Sequence, residues 1–320
     1  MQIQRISIFL TVFFLLSSAI LVSTGVDYTV CASNGESVTL HFIDVGQGDS
    51  IFIDTSGLDV LIDGGKRGAG DTVVEYLGNM SITQINLMVA THMDADHIGG
   101  LIKVLDSTIQ VDVVKINNQT HDSDTYDDFM SFATNHTFEA AQRGDVYILT
   151  QTANLTVLNP VDPLEFSTQN ENSVVMRLQV GNSSFLLMGD AEVATEESIL
   201  LSGLEVDSEV LKVGHHGSNT TTRDDFLNAV SPSIAIISAG LNNQYEHPHQ
   251  ETLDKLFAKG VTVYGTYQSG TIIITANSSS IEVLNESQPI PELSLPIILS
   301  CIIVTTLIAV LCRKKNLLNE

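Results

Sequence analysis

Twice along this chain a cluster of short strands gives way to strand–helix alternation, and that doubled rhythm limits the folds open to it. The first cycle opens with strands at Ser37–Asp44, Ser50–Asp54 and Leu58–Asp63, followed by a helix at Asp71–Met80 and an apolar strand at Ile85–Ala90. A helix near Gly99–Leu105 and a strand at Val111–Ile116 complete it. The second cycle has strands at Tyr147–Leu149, Leu155–Leu158, Ser173–Val180 and Ser184–Met188. Helices at Glu192–Leu201, Arg223–Val230 and Gln250–Ala258 then alternate with strands at Glu209–Val213 and Ser233–Ser238. Val261–Tyr264, Thr271–Thr275 and Ser280–Leu284 close it as strands. Alternation such as Val38, Leu40, Phe42 marks a half-buried strand, whereas the unbroken run Ile85–Ala90 marks one covered on both faces. Two α/β halves with facing sheets fit this order better than one doubly wound sheet. Between the cycles, Asn117–Phe138 is polar and acidic, with one predicted helix at Tyr126–Phe132.

Apolar stretches stand at both ends. Ile6–Val22, behind Arg5 and before Ser23, Thr24 and Gly25, reads as a secretory signal peptide or an uncleaved signal anchor over residues 1–26. Leu293–Cys312 has 20 residues and no charge. At about 1.5 Å per residue that suffices to cross a ~30 Å hydrocarbon core. Arg313-Lys314-Lys315 follows at once, which puts the 313–320 tail in the cytoplasm by the positive-inside rule. The expected order is signal or anchor, an external domain over 37–285, a stalk over 286–292, a single C-terminal membrane span over 293–312, and the tail. Eight Asn-x-Ser/Thr sequons, the first at Asn79 and the last at Asn285, agree with an external address.

Charge narrows the function. Of 38 acids and 14 bases, only Glu320 and the bases Arg5, Arg313, Lys314 and Lys315 lie outside the body, which leaves 37 against 10, a net of −27. Such a body repels phosphate backbones at long range, so a phosphate substrate has to be held locally, by bound cations. Three cysteines, two of them (Cys301 and Cys312) in the last apolar stretch, supply neither a disulfide framework nor a metal cluster. No obligate protein partner is readable.

The chemistry concentrates where apolar strands end. Val89-Ala90 runs into Thr91-His92-Met93-Asp94-Ala95-Asp96-His97-Ile98-Gly99-Gly100, at the carboxyl edge of a strand, where α/β proteins put their sites. Alternation sends His92 and Asp94 the same way, and the turn brings Asp96 and His97 round to face them. Imidazole and carboxylate together suit a divalent cation, or two close together if further ligands arrive. Such ligands are on hand: Phe185–Met188 leads into Gly189-Asp190, and Val210–Val213 into Gly214-His215-His216-Gly217-Ser218. Taken alone, a carboxylate before a helix is as readily a cap as a ligand. His247, before Pro248, is a candidate for protonating a leaving alkoxide or gripping a phosphate. Asp44, Gln47 and Asp49 lie in a Gly-rich turn, where local Asx bonding is the structural alternative. Ser173 and Ser218 are candidates for bonding phosphate.

Thr91–Gly100 resembles the metal-binding His-x-(His/Asp)-x-Asp-His segment of the metallo-β-lactamase superfamily. Leu61-Ile62-Asp63-Gly64-Gly65 is similar to its first motif, Asp190 to its bridging Asp, and His215-His216 to its last metal His. More narrowly, Phe42–Ser50, Asn172-Ser173-Val174-Val175, Leu211–Ser218 and Glu246-His247-Pro248 resemble the hydrolase domain of ComEC-type DNA-internalisation (competence) proteins. The resemblance runs from about Val38 to Leu284 and implies an α+β fold, the four-layer αβ/βα sandwich. It also implies one or two divalent metal ions, Mn²⁺ or Zn²⁺. Asp96, His97, Asp190 and one of His215 and His216 would hold one; His92, Asp94 and Asp190, with Asn172, the other. Asp63 would orient a ligand histidine. The implied activity is hydrolysis by a metal-activated water, with a phosphodiester in DNA or RNA as the expected bond and Asp96 and His247 as the expected catalytic groups. The alternatives are a small ester, lactone or phosphodiester, or a metal-stabilised surface module without turnover.

Three departures from the family pattern matter. Asp94 stands where many members have His, which tilts preference toward Mn²⁺. The usual His between the first cluster and the bridging Asp is missing: Asn172 takes its place, while His121 and His136 fall in the polar insertion. The two expected spans cannot build the multi-helix channel of ComEC-type proteins, so DNA import is not carried over as an expectation.

Overall fold

The computed structural model of the protein describes residues 36–284 and 288–291. The expected signal or anchor, membrane span and tail lie outside the described residues. No helix among the described residues is long and apolar enough to cross a membrane.

The strands β1 (Val38–Phe42), β2 (Ile51–Asp54) and β3 (Val60–Ile62) form an antiparallel meander. The chain crosses over through α1 (Gly70–Asn79) to lay β4 (Gln84–Ala90) parallel to β3. It then passes through α2 (Ala95–Ile98) and α3 (Leu101–Leu105) to β5 (Gln110–Ile116), parallel to β4. The polar insertion holds α4 (Asp124–Ala133), whose N-cap Ser123 accepts a bond from the Tyr126 amide. It also holds an edge strand that its composition did not signal, β6 (Thr137–Ala140), parallel to β5.

The second half opens with the antiparallel strands β7 (Val146–Ile148), β8 (Ala153–Asn159), β9 (Val175–Val180) and β10 (Ser183–Leu187). Parallel crossovers through α5 (Val193–Ser202), α6 (Asp224–Val230) and α7 (Gln250–Ala258) add β11 (Val210–Lys212), β12 (Ile234–Ile237) and β13 (Thr262–Gly265). After the short α8 (Thr266–Ser269), β14 (Ile272–Ala276) and β15 (Ile281–Leu284) leave this half and return to the first sheet, where β14 pairs with β1. The eight-stranded sheet therefore runs β15-β14-β1-β2-β3-β4-β5-β6, and the seven-stranded sheet β13-β12-β11-β10-β9-β8-β7.

Side-chain alternation builds the layers. In β2, Ile51 and Ile53 enter the core between the sheets while Phe52 joins the core beneath α1 to α4. In β10, Phe185 and Leu187 point between the sheets and Leu186 toward the core beneath α5 to α7. Three buried cores thus alternate with four layers, helices–sheet–sheet–helices. Each large apolar side chain buried this way contributes roughly 1.5–3 kcal/mol. Ile272, Ile274 and Ala276 belong to the central core with Val38, Leu40 and Phe42, which is why the closing hairpin covers that edge. The alternation in β11 makes one exception: Val210 faces the central core, and Lys212, two residues on, takes the next inward position, fully buried.

Candidate metal centre

The site forms where the carboxyl ends of β3, β4, β10 and β11 meet. Asp63, just past β3, adopts a left-handed φ of 57° and is fully buried. One of its oxygens accepts from the Thr91 amide at 2.8 Å. The other accepts from the Thr91 hydroxyl at 2.7 Å and lies 2.7 Å from His97 Nδ1. Asp63 can only accept, so Nδ1 carries a proton, and the other ring nitrogen, Nε2, lies 3.3 Å from Asp190 Oδ2, where a metal would take the place of its proton. By the same logic His92 Nδ1, 3.1 Å from the Thr91 hydroxyl, donates to it. His92 Nε2 faces Asp94 Oδ2 at 3.6 Å and Asp190 Oδ2 at 3.9 Å. Asp94 is the N-cap of α2 through its backbone carbonyl, and its side chain makes no capping bond, which leaves the carboxylate to the site. Close backbone packing dictates the glycines here: a Cβ on Gly100 would stand 1.8 Å from the Gly64 carbonyl oxygen, and one on Gly48 would stand 2.2 Å from that of Asp96.

The second half brings Asp190 after β10 and the histidine pair after β11. His215 and His216 both hold left-handed φ, 43° and 55°. Two such residues in succession are strained, of order 1–3 kcal/mol each, and the turn aims both rings at Asp190. His216 is buried; its Nδ1 donates to the Ser238 carbonyl at 2.9 Å with Asp49 Oδ1 at 3.3 Å. Its Nε2 lies 3.4 Å from Asp190 Oδ2 and 3.9 Å from Asp96 Oδ2. His215 is held by Glu192 through Nδ1 at 2.8 Å, is a quarter exposed, and keeps Nε2 3.8 Å from Asp190. Of the two, His216 is therefore the one inside the cluster and His215 the one at its rim. Asp49 in turn pairs with the buried Lys212 at 2.9 Å.

The electrostatics follow from burial against charge. Burial by itself would raise the Asp190 carboxyl, but His216 and His97 outweigh it and hold it well below the usual carboxylate range. Burial would lower His97, yet Asp190 and Asp63 raise it well above an ordinary imidazole. His216 follows the same pattern and is raised to about 9 by Asp190 and Asp49. Asp49, despite burial, is drawn down to about 2 by Lys212 and His216.

These groups fit divalent metal. His92 Nε2, His97 Nε2, His216 Nε2 and Asp190 Oδ1 are buried without a hydrogen-bond partner, an arrangement costly to leave unanswered. The sets His92–His97–Asp190 and Asp96–His97–His216 each offer ligand atoms within 4.8 Å of one another. The donor set of imidazole and carboxylate suits Zn²⁺ and Mn²⁺.

The other expected site residues divide. A cavity of about 130 Å³ over the cluster is lined by Gln47, Asp94, Asp96, His215, Tyr245 and His247 among others. His247 leaves Nδ1 unpartnered, and burial with His215 and His216 nearby pushes its imidazole down to about 4. Ser173 Oγ accepts from the Asp190 amide at 3.2 Å and so braces the loop that carries Asp190. Asn172 spends its amide on Gln119, Phe166 and Thr168, fastening a loop rather than facing the cluster. Ser218 bonds Thr220 at 2.9 Å, and Asp44 closes its own turn by accepting from Gly46 N at 3.1 Å. His136 bonds the Val111 carbonyl, but His121 reaches Asp94 Oδ1 at 3.4 Å. Lys212, Glu192 and this contact of His121 had no signal in local spacing. Lys212 alone left a trace, as a cation at an inward position of an apolar strand.

Fold and site together define a metallo-β-lactamase-type sandwich with a candidate metal centre at the carboxyl ends of its strands. The chain belongs to the metallo-beta-lactamase superfamily, whose family model matches residues 43–240. It is 32% identical over 265 residues to ComE operon protein 3 of Bacillus subtilis (strain 168), covering 77% of this chain and 33% of that protein. It is 31% identical over 231 residues to Competence protein ComA of Neisseria gonorrhoeae, covering 72% and 31%. The chain thus spans about a third of the length of these curated relatives. Among solved structures it is similar to the metallo-beta-lactamase fold protein YhfI from Bacillus subtilis, at 11% identity and a TM-score of 0.46, covering 76% of this chain and 99% of that one.

Proposed function

We propose that the protein is a metal-dependent phosphodiesterase that cleaves DNA or RNA outside the cell, anchored to the membrane through residues 293–312. The observation that carries the hydrolytic reading is the convergence of four unpartnered buried ligand atoms around Asp190. The net charge of −27 on the body makes cations at the site the means of accepting a phosphate. For the external address, none of the seven described sequon asparagines is buried, as attachment of a glycan requires.

When bound, the cations supply a Lewis acid for the phosphoryl oxygens and lower the pKa of a water toward about 7. Hydrolysis forms a bond from water oxygen to phosphorus and breaks the bond to the leaving oxygen, which departs with a proton. His92, His97, Asp190 and His216, with Asp94 and Asp96, are the ligands in this reading. Asp96, whose carboxylate accepts no hydrogen bond among the described residues, takes the proton from the water. His247, on the same cavity and held neutral by its lowered pKa, donates a hydrogen bond to the leaving oxygen, and the proton that Asp96 took from the water departs with that oxygen. The modest cavity favours a second reading, hydrolysis of a small ester or phosphodiester.

The test is turnover by the full chain in detergent, loaded with Mn²⁺ or Zn²⁺. Substrates are single- and double-stranded DNA, RNA and a small chromogenic phosphodiester, with Asp190→Ala as control. Polymer cleavage that the control lacks is the expected result. Turnover of the small ester alone selects the second reading, and metal binding without any turnover leaves a non-catalytic binding module.

A further inference from the structure

The cavity over the cluster does not stand alone. It shares Gln47 and Tyr245 with a neighbouring hollow of about 370 Å³. That hollow shares Gly46, Lys66 and Leu241 with a third, of about 640 Å³, which Tyr267 also lines. Together they make a groove leading away from the cluster.

Three features of its wall point to a ligand. Gln47 is nine-tenths buried; its Oε1 accepts from the Gly240 amide at 3.2 Å, which fixes the carboxamide, and its Nε2 has no partner. An amide donor buried in a cavity wall, fixed in orientation and without a partner, calls for an acceptor from outside the protein. Lys66 is the only Lys or Arg among the described residues without an ion pair or a side-chain hydrogen bond: every other one is bonded to a carboxylate, a carbonyl, a hydroxyl or an amide. On so acidic a body a free cation lining a groove is conspicuous. Tyr245, 47% exposed, stacks on His247 with centroids 5.8 Å apart and lines the second hollow together with Leu241, itself 71% exposed.

Resting on the phosphodiesterase reading, we propose that this groove is a track for single-stranded nucleic acid. In it Gln47 Nε2 donates to a phosphoryl oxygen of the scissile phosphate, Lys66 takes a neighbouring phosphate, and Tyr245 receives a base. Duplex is the poorer ligand for two reasons. A splayed base is needed to reach an aromatic face, and one free cation cannot offset the several phosphates that a duplex presents at once. Lys66 and Tyr245 are then the residues that tell a polymer from a small phosphodiester.

The experiment measures binding and turnover separately, on the metal-loaded full chain. Binding is followed by fluorescence anisotropy of a labelled oligothymidylate of about ten nucleotides. Lys66→Ala is expected to raise Kd about tenfold and to reduce the dependence of log Kd on log salt by about 0.7, the share of one phosphate on a single strand. Tyr245→Ala is expected to weaken binding by about tenfold with no change in that slope, and Lys66→Arg to restore both quantities. In turnover, Lys66→Ala raises KM for the oligonucleotide with kcat within about twofold. Lys259→Ala, a surface lysine bonded to Asn228, leaves Kd unchanged. Equal Kd for Lys66→Ala and the parent, or duplex bound as tightly as single strand, would overturn the groove. A chain that cleaves the small phosphodiester yet binds the oligonucleotide independently of Lys66 keeps the hydrolase and loses the groove. Binding through Lys66 with no cleavage of any phosphodiester keeps the groove and loses the hydrolase.

Discussion

His97 and His216, the two histidines closest to Asp190, are each steadied by a buried carboxylate, but the supports differ in kind. Asp63 stands in the same half as His97 and is held by two uncharged donors of one residue, the amide and hydroxyl of Thr91. Asp49 belongs to the first half, reaches across to His216 in the second, and is held by the buried ammonium of Lys212, also from the second. The first support is complete within the first half, between the neighbouring loops that follow β3 and β4. The second exists only once the two sheets have packed together. Half of the cluster can therefore be ordered locally, and the other half reports on the assembly of the whole sandwich.

The largest effect expected from breaking this asymmetry is at Lys212. Lys212→Met leaves the Asp49 carboxylate buried without its cation, a loss of about 3–5 kcal/mol in unfolding free energy, read from urea melts. Adding Asp49→Asn removes the stranded charge and recovers most of that loss. A single Lys212→Met variant as stable as the parent would mean that the pair is no anchor.

A smaller effect sharpens the contrast. Asp63→Asn and Asp49→Asn each loosen one histidine and are expected to lower metal affinity about 10–100-fold, measured by metal titration. They should differ in stability: Asp49→Asn leaves the buried Lys212 without its carboxylate, whereas Asp63→Asn leaves the neutral donors of Thr91 and an imidazole that still has Asp190 beside it. Equal stability losses would contradict the distinction between a local and a cross-sheet support.

The least effect lies far from the cluster, in the first half alone. His41, bonded to the Tyr76 hydroxyl at 2.8 Å, is pushed down to about 4 by burial. The unfolded chain, with an ordinary histidine near 6.5, binds more protons between those values, so stability falls as pH drops from about 6.5 toward 4. His41→Gln should make that limb of the pH–stability curve shallower, and an unchanged limb would place the loss elsewhere.

How much of this the sequence discloses follows the same division. The loop from His92 to His97 is legible because an apolar strand runs straight into four ligand-type residues, and strand periodicity is local. The two cycles of strands and helices are legible for the same reason. The return of β14 and β15 to β1 is not, since it depends on which of two sheets has an edge left to cover. β6 is four residues long and sits in an acidic stretch, too short for its pattern to speak. The Asp49–Lys212 pair joins positions 163 residues apart, 49 and 212, and nothing in either neighbourhood names the other. Asn172 occupies the expected place for a ligand, but its amide is taken up by the loop around it.

The central claim is that Asp190 sits at the heart of a metal site built from both halves. Calorimetric titration of the metal-stripped full chain with Mn²⁺ and Zn²⁺, parent against Asp190→Ala, tests it most directly. Saturable binding by the parent, lost in the folded Asp190→Ala variant, is the expected result. No binding by the parent, or binding that survives Asp190→Ala unchanged, would contradict it.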